Sequence, residues 1–268
     1  MEEEFLVPFD KAPDVDKIAL IDADYIKYLV ANDILKDLKS KTAIIYKNPV
    51  HHYTQIRVDR IINSFTAKGY LFCFSGPSDN TFRCSVSFDR KYKDRDYSES
   101  YEKELEDKTE VVKYIRDRYP SVKYNDLEAD DLLSMLQNDD TFIYSNDKDL
   151  LQVPGLHWNI KTKSFFEVSK SDGLDFLMTQ MLLGDSGDSI AGLKGCGEVG
   201  AKKLLMDIQV KDKPFKVLLE YMKKHGMVNG IDCFVEAWNL LKLRNGRGDF
   251  FISKYKGAFD TLRLIKNS

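Results

Sequence analysis

The chain has 268 residues, 43% hydrophobic and 31% charged, with a formal net charge of −3, which suits a globular protein long enough to bury a sizeable core. No apolar run approaches the ~20 residues that a membrane helix needs and the first ten residues are acidic, so a cytoplasmic protein with no membrane partner is expected. Four cysteines (Cys73, Cys84, Cys196, Cys233) without a C-x-x-C pair, and only four histidines, argue against a disulfide framework or a zinc site.

In chain order, Ile18–Ile21 is a short apolar run ending at Asp22, a buried strand that presents a carboxylate at its carboxyl end. Residues 25–38 and 54–68 have helical spacing, and Gly69 is expected to stop the second helix before the strand Tyr70–Phe74. Ser75-Gly76-Pro77 is a turn. Residues 82–118 carry ten basic and ten acidic side chains and little apolar content, as an exposed helical excursion would. A short helix is expected from Glu128 to Leu136, a strand over Thr141–Tyr144, two strands over Leu156–Ile160 and Ser164–Val168, and a helix over about 172–183. Alternating strands and helices predict an α/β domain with a mostly parallel sheet, in which ligands gather beyond the carboxyl ends of the strands. Asp22, Ser75 and Asp147 all fall at such ends. After Gly184 the chain reads as helical and glycine-punctuated, so a boundary is placed there: 1–184 as core, 185–268 as a helical unit.

Charge is unevenly spread. Residues 126–150 carry eight acids against one lysine, whereas residues 191–224 carry eight lysines against four acids and residues 241–268 seven Lys/Arg against two aspartates. An acidic centre flanked by basic segments fits an enzyme that holds cations in its middle and phosphates around it.

Three acidic blocks stand out: Glu128-Ala129-Asp130-Asp131 at a helix start, Ser145-Asn146-Asp147-Lys148-Asp149 after a strand, and Gly184-Asp185-Ser186-Gly187-Asp188 after a helix. Each alone is ordinary capping or turn composition. Together with Asp22 they are not, because two carboxylates 4 Å apart repel by roughly 4 kcal/mol at an effective dielectric of 20. Several converge only around cations, and carboxylate oxygens suit Mg2+ or Mn2+. Two such ions can clamp the attacking water and the leaving oxygen of a phosphoryl displacement without a nucleophilic serine or histidine. Next comes Leu193-Lys194-Gly195-Cys196-Gly197-Glu198-Val199-Gly200-Ala201-Lys202-Lys203, a glycine-flanked turn entering a helix with lysines one turn in. Free amides and lysines there hold a phosphate backbone without reading bases.

The blocks D-L-E-A-D-D (126–131), Y-S-N-D-K-D-L-L-Q (144–152) and G-D-S-G-D-S-I-A-G-L-K-G-C-G-E-V-G-A-K-K-L-L (184–205) resemble the signatures of the 5′-nuclease superfamily of flap endonucleases, polymerase-associated 5′-nucleases and phage 5′–3′ exonucleases, the last most of all. The resemblance runs from Asp22 to about Leu205. It implies a PIN-like three-layer core, a helical arch over about 76–118 and an H3TH DNA-binding element at about 185–206. It implies metal ligands at Asp22, Glu128, Asp130, Asp131, Asp147, Asp149, Asp185 and Asp188, with Glu128 and Asp130 the more direct of their block. It implies DNA contacts by Lys194, Gly195, Gly197, Gly200, Lys202 and Lys203. Phe82-Arg83 and Tyr92-Lys93 with Arg95 resemble the arch base, where Arg83, Lys93 and Arg95 would act on the scissile phosphate; the spacing leaves Lys91, Lys93 and Arg95 as alternatives. Ser75 stands where many relatives have an aspartate, so either Asp79 reaches in from the loop or the position acts through water. The implied activity is two-metal, Mg2+-dependent hydrolysis of DNA near a 5′ end, flap or junction, with an RNA–DNA hybrid also open, by a monomer in a bacterial or phage-infected cell. The rivals are a PIN-type ribonuclease, which would lack the lysine-bearing hairpin, and a DNA-structure-binding protein without activity, for which so many acids have no use.

Overall fold

In a computed structural model, residues 13–39, 46–77, 81–87, 92–93 and 100–245 are described, apart from the side chains of 38–39 and 100–107. Lys91 and Arg95, Asp79, and the basic stretch beyond Asn245 therefore lie outside the described residues. Strands β1 (Asp14–Asp22), β2 (Thr66–Phe74), β3 (Ser121–Lys123), β4 (Thr141–Tyr144), β5 (Gly155–Asn159) and β6 (Ser164–Val168) form one sheet in the order β3-β2-β1-β4-β5-β6. All neighbours are parallel except β5 and β6, which form an antiparallel hairpin at one edge.

Alternate side chains of the central strands feed two cores. Ala19, Ile21, Phe72, Phe74, Phe142 and Tyr144 pack on one face beneath helices α1 (Ala23–Lys39), α2 (Pro49–Ile62) and α4 (Ser100–Arg116). Leu20, Cys73 and Ile143 pack on the other against α5 (Ala129–Leu136) and Leu150, Val153 and Leu243. Strands buried on both faces read as unbroken apolar runs, and the result is the expected helix–sheet–helix sandwich with a mostly parallel sheet. A short helix, α3 (Phe82–Val86), precedes α4. Helices α6 (Lys170–Leu183), α7 (Glu198–Leu205), α8 (Lys213–His225) and α9 (Met227–Leu241) share a third core that includes Met178, Met181, Leu205, Tyr221, Phe234 and Trp238.

Three local readings needed correction. Helix α2 begins at Pro49, where Asn48 accepts from the His51 amide, and ends at Ile62 rather than running to Gly69. Gly69 lies inside β2, because Thr66–Gly69 pair with the polar first half of β1. Phe65 continues the helical spacing of Ile61 only by coincidence: its ring packs on Phe142 and Trp158 across the sheet. The edge strand β3 and the two-stranded ribbon β7 (Gly184–Asp185) with β8 (Ile190–Ala191) were not expected. In that ribbon Gly184 has φ +74°, and a Cβ there would fall 2.3 Å from the Gly192 nitrogen, so only glycine admits the approach that closes the Gly184–Asp188 acidic turn. Among the described residues no helix is long and apolar enough to cross a membrane.

Candidate active site

The carboxyl ends of β1, β2 and β4 open onto one cleft of about 500 Å³. Seven of the eight expected ligands line it: Asp22, Glu128, Asp130, Asp147, Asp149, Asp185 and Asp188. Asp22 leaves β1 with its Oδ1 accepting from the Asp24 amide (3.1 Å) and its Oδ2 from Ser145 Oγ (2.8 Å). Ser145 in turn accepts from the Asp147 amide (3.0 Å), and Asp147 Oδ1 accepts from the Asp149 amide (2.9 Å) and caps the 3-10 turn Lys148–Gln152. Serine at the end of β4 thus tethers the second acidic block to the first strand.

Glu128 is the residue that opens α5, and the Ala129 amide donates to Ser75 Oγ at 2.9 Å. Ser75 is therefore a helix-capping group in this chain. Carboxylate oxygens of Glu128, Asp130 and Asp131 lie within 4.8 Å of one another. On the third block, Asp185 Oδ1 accepts from the Gly187 amide at 2.8 Å, while Lys148 Nζ lies 3.3 Å from Asp185 Oδ2.

Burial and crowding show in the protonation of these groups. Burial, then repulsion from Asp24 and Asp147, pushes Asp22 up to about 7. Burial, then Asp147 and Asp185, pushes Asp149 up to about 6. Burial raises Asp130 well above the usual carboxylate range despite Arg83, and it raises Asp188 as well. Glu128 goes the other way: burial alone would raise it, but Arg83 and Lys93 beside it hold it below its ordinary value. Eight carboxylates line the cleft against two lysines, Lys93 and Lys148.

Asp131 and Arg83 are placed differently from the rest. Asp131 is fully buried, receives both Arg83 Nη atoms (2.6 and 2.9 Å) and the Arg244 amide (3.1 Å), and does not line the cleft. Arg83, expected at the scissile phosphate, is 1% exposed; its guanidinium is shared among Asp131, Glu128 Oε2 (2.7 Å) and the Leu240 carbonyl (2.9 Å). Arg83 does not line the cleft itself but contacts it through Glu128. Lys93 does line the cleft, at φ +52°, with its ammonium on Glu128 and 3.8 Å from Asp188. Tyr92, whose hydroxyl oxygen lies 2.9 Å from Glu128 Oε2 and 3.0 Å from Asp188 Oδ2 and has one proton to share between them, bridges the first and third blocks.

Sequence reasoning missed Asp24, which lines the cleft, pairs with Lys27 at 2.7 Å and accepts from the Ser75 amide. Its signal was the Asp22-Ala23-Asp24 spacing at a strand end. In the hairpin, Lys194, Gly195, Gly197, Lys202 and Lys203 are exposed and Gly200 half-buried; Gly195 has φ +84°, and a Cβ at Gly195 or Gly197 would meet nothing within 4 Å. Neither Trp158 nor Trp238 approaches the cleft; both are core residues.

No family model matches the chain. Over 167 residues it is 30% identical to DNA polymerase I of Borreliella burgdorferi, a match covering 54% of this chain but only 18% of that protein. Over 227 residues it is 24% identical to a 5′-3′ exonuclease of Mycoplasmopsis pulmonis, covering 76% of this chain and 70% of that one. Its fold superposes on the T5 D15 protein co-crystallised with metal ions (TM-score 0.63, 14% identity, 91% of this chain and 96% of that one). It also superposes on T5 5′-exonuclease with divalent zinc bound (TM-score 0.55, 16% identity, 84% and 86%). In its PIN-like fold and in its three acidic sequence blocks, the chain resembles the flap-endonuclease-like 5′-nucleases.

Proposed function

We propose that this chain is a Mg2+-dependent nuclease that hydrolyses DNA phosphodiesters near a 5′ end, as a 5′–3′ exonuclease, a flap endonuclease or both. The observation that carries this reading is the convergence of eight carboxylates, the seven expected ones and Asp24, from four separate segments, on one cleft. The donor set fits a hard divalent cation: it is all oxygen, it lies at strand and helix ends, and its carboxylates outnumber Lys93 and Lys148, the lysines that line the same cleft. Asp22, Glu128, Asp130, Asp147, Asp149, Asp185 and Asp188 would hold two ions directly or through water, with Asp131 acting behind them through Arg83. When bound, such ions supply an activated water and neutralise charge developing on the phosphoryl oxygens.

The chain's own groups account for the rest. Lys93 is the described cation best placed to face a phosphate in the cleft, its ammonium lying beside Glu128 and Asp188. The hairpin and the start of α7, read as an H3TH element, offer open amides at Gly195 and Gly197 and the lysines 194, 202 and 203 to a phosphate backbone. The segment over about 76–118, part of which lies outside the described residues, is read as the arch. Residues 1–184 then form the nuclease core and 185–268 the DNA-holding unit.

Incubating 5′-labelled duplex and flap DNA with the protein tests this directly. Short products in Mg2+ and none in EDTA are expected, their length separating exonucleolytic from flap cutting. A clear gel shift with no product in Mg2+ or Mn2+ would leave a DNA-structure-binding protein instead, and preferential cutting of RNA would favour the ribonuclease. Lys93→Met is expected to lower kcat about 100-fold while DNA affinity changes little, because its charge acts on the reacting phosphate rather than on the duplex. An equal loss in affinity and a normal kcat would place Lys93 on the DNA track only.

A further inference from the structure

The C-terminal end of α9 lies beyond every motif of the sequence, yet it is tied to the acidic cleft through two side-chain amides. Gln180, on α6 and 6% exposed, donates from Nε2 to Asp149 Oδ1 at 2.6 Å. Its Oε1 accepts from Gln152 Nε2 at 2.8 Å. The same Gln152 nitrogen donates to the Leu241 carbonyl at 2.8 Å, and its Oε1 accepts from the Leu243 amide at 3.2 Å. The polarity of this line is fixed from both ends. A carboxylate only accepts, so Gln180 must turn its nitrogen toward Asp149 and its oxygen toward Gln152. The Leu243 N–H only donates, so Gln152 must turn its oxygen toward the backbone. Only one orientation of each amide satisfies every contact, and that orientation holds Asp149 through Oδ1.

We propose that Gln152 and Gln180 form a positioning relay that fixes the Asp149 carboxylate for divalent-metal binding against the Leu241–Leu243 backbone. The relay rests on the metal-binding reading of the cleft and extends it to residues that the acidic blocks do not contain. Three segments meet in it: the turn after β4 carries Asp149 and Gln152, α6 carries Gln180 toward the Gly184–Asp188 block, and the end of α9 supplies the anchor. With Oδ1 engaged by Gln180, Oδ2 is the oxygen free to take a cation, and the carboxylate cannot rotate without losing a bond. Groups that orient metal ligands in this way typically change metal affinity about 10- to 100-fold when removed. Neither glutamine lines the cleft, so neither is a catalytic residue.

The test is calorimetric titration of Mn2+ into the full, metal-free chain, with the thermal midpoint measured on the same samples. Gln180→Met removes the amide on Asp149, and Gln152→Met removes the link to the backbone. Gln137→Met removes an amide of similar setting, bound to the Leu156 carbonyl and Thr141 outside the cleft. The expected result is a Kd raised about 10-fold by Gln180→Met, a smaller rise for Gln152→Met, and a Kd within about twofold of wild type for Gln137→Met. Should Gln180→Met fail to fold, Gln152→Met carries the same readout one bond further out. A folded relay variant with wild-type Kd, or an equal rise in all three variants, overturns the relay alone. No Mn2+ binding by the wild type would sink the metal reading together with it.

Discussion

Asp22→Asn is expected to abolish cleavage and, in the metal-free protein at pH 8, to raise thermal stability. The Asp22 carboxyl is held at about 7 by burial and by Asp24 and Asp147, against an unfolded value near 3.9. A carboxyl raised in the folded state costs nothing below its unfolded pKa. Its cost grows as pH rises from about 4 through about 7 and is complete at pH 8. That cost is about 2–4 kcal/mol. Asparagine does not titrate and keeps the Asp24 amide contact on its oxygen, so it removes the cost. At 2–4 °C per kcal/mol for a chain of this size, the midpoint should rise by roughly 5–10 °C at pH 8, and by little at pH 5. Asp149, held at about 6, adds the same sign over a lower window. Magnesium should raise the wild-type midpoint more at pH 8 than at pH 5, and raise that of Asp22→Asn less. Cleavage should fall at least about 1,000-fold, since one missing carboxylate leaves the cation charge misplaced. Scanning calorimetry at both pH values, with and without Mg2+, checks the stability half; a midpoint lowered at pH 8 would show that Asp22 is a structural anion with its charge fully compensated.

Much of this site is legible in the sequence because its parts are local. A buried parallel strand reads as a short apolar run, and the residue that ends it is by topology at the edge where ligands bind, as Asp22 shows; Asp147 follows three residues beyond β4 at the same edge. The three acidic blocks are each contiguous, so spacing alone put Glu128 with Asp130 and Asp147 with Asp149. What was hidden depends on long separations. Arg83 is held in place by the Leu240 carbonyl, 157 positions away, and Asp131 by the Arg244 amide. Nothing near Phe82-Arg83 in the chain signals a core position, and an arginine among exposed charges reads as solvated. Strand β3 was missed for a related reason: three half-buried residues, Ser121–Lys123, form a strand only because β2 offers an edge. Gly69 misled because a glycine after an apolar helical pattern signals a helix end, whereas here pairing with β1 decided its state.

Arg83→Met is expected to be the most destabilising change among the residues around the cleft. Arg83 is 1% exposed and Asp131 fully buried, so among the described residues loss of the guanidinium leaves the Asp131 carboxylate inside with only the Arg244 amide, and Glu128 with only Tyr92 and Lys93. Breaking a buried pair by removing one partner costs about 3–5 kcal/mol, which at this chain length lowers the midpoint by roughly 10 °C. Lysine should not rescue it. One ammonium cannot reach both oxygens of Asp131, Glu128 Oε2 and the Leu240 carbonyl as the planar guanidinium does. Removing both partners in Arg83→Met with Asp131→Leu should recover part of the loss, because no lone charge then remains buried between them. The same thermal melts separate this placement from the one expected of an arch-base arginine. A side chain that reached only the scissile phosphate would leave the midpoint of Arg83→Met unchanged and lower kcat alone. A midpoint within 2 °C of wild type would therefore return Arg83 to the phosphate, whereas the expected drop, partly recovered in the double variant, makes it the buried counter-charge that holds Glu128 and the end of α9 together.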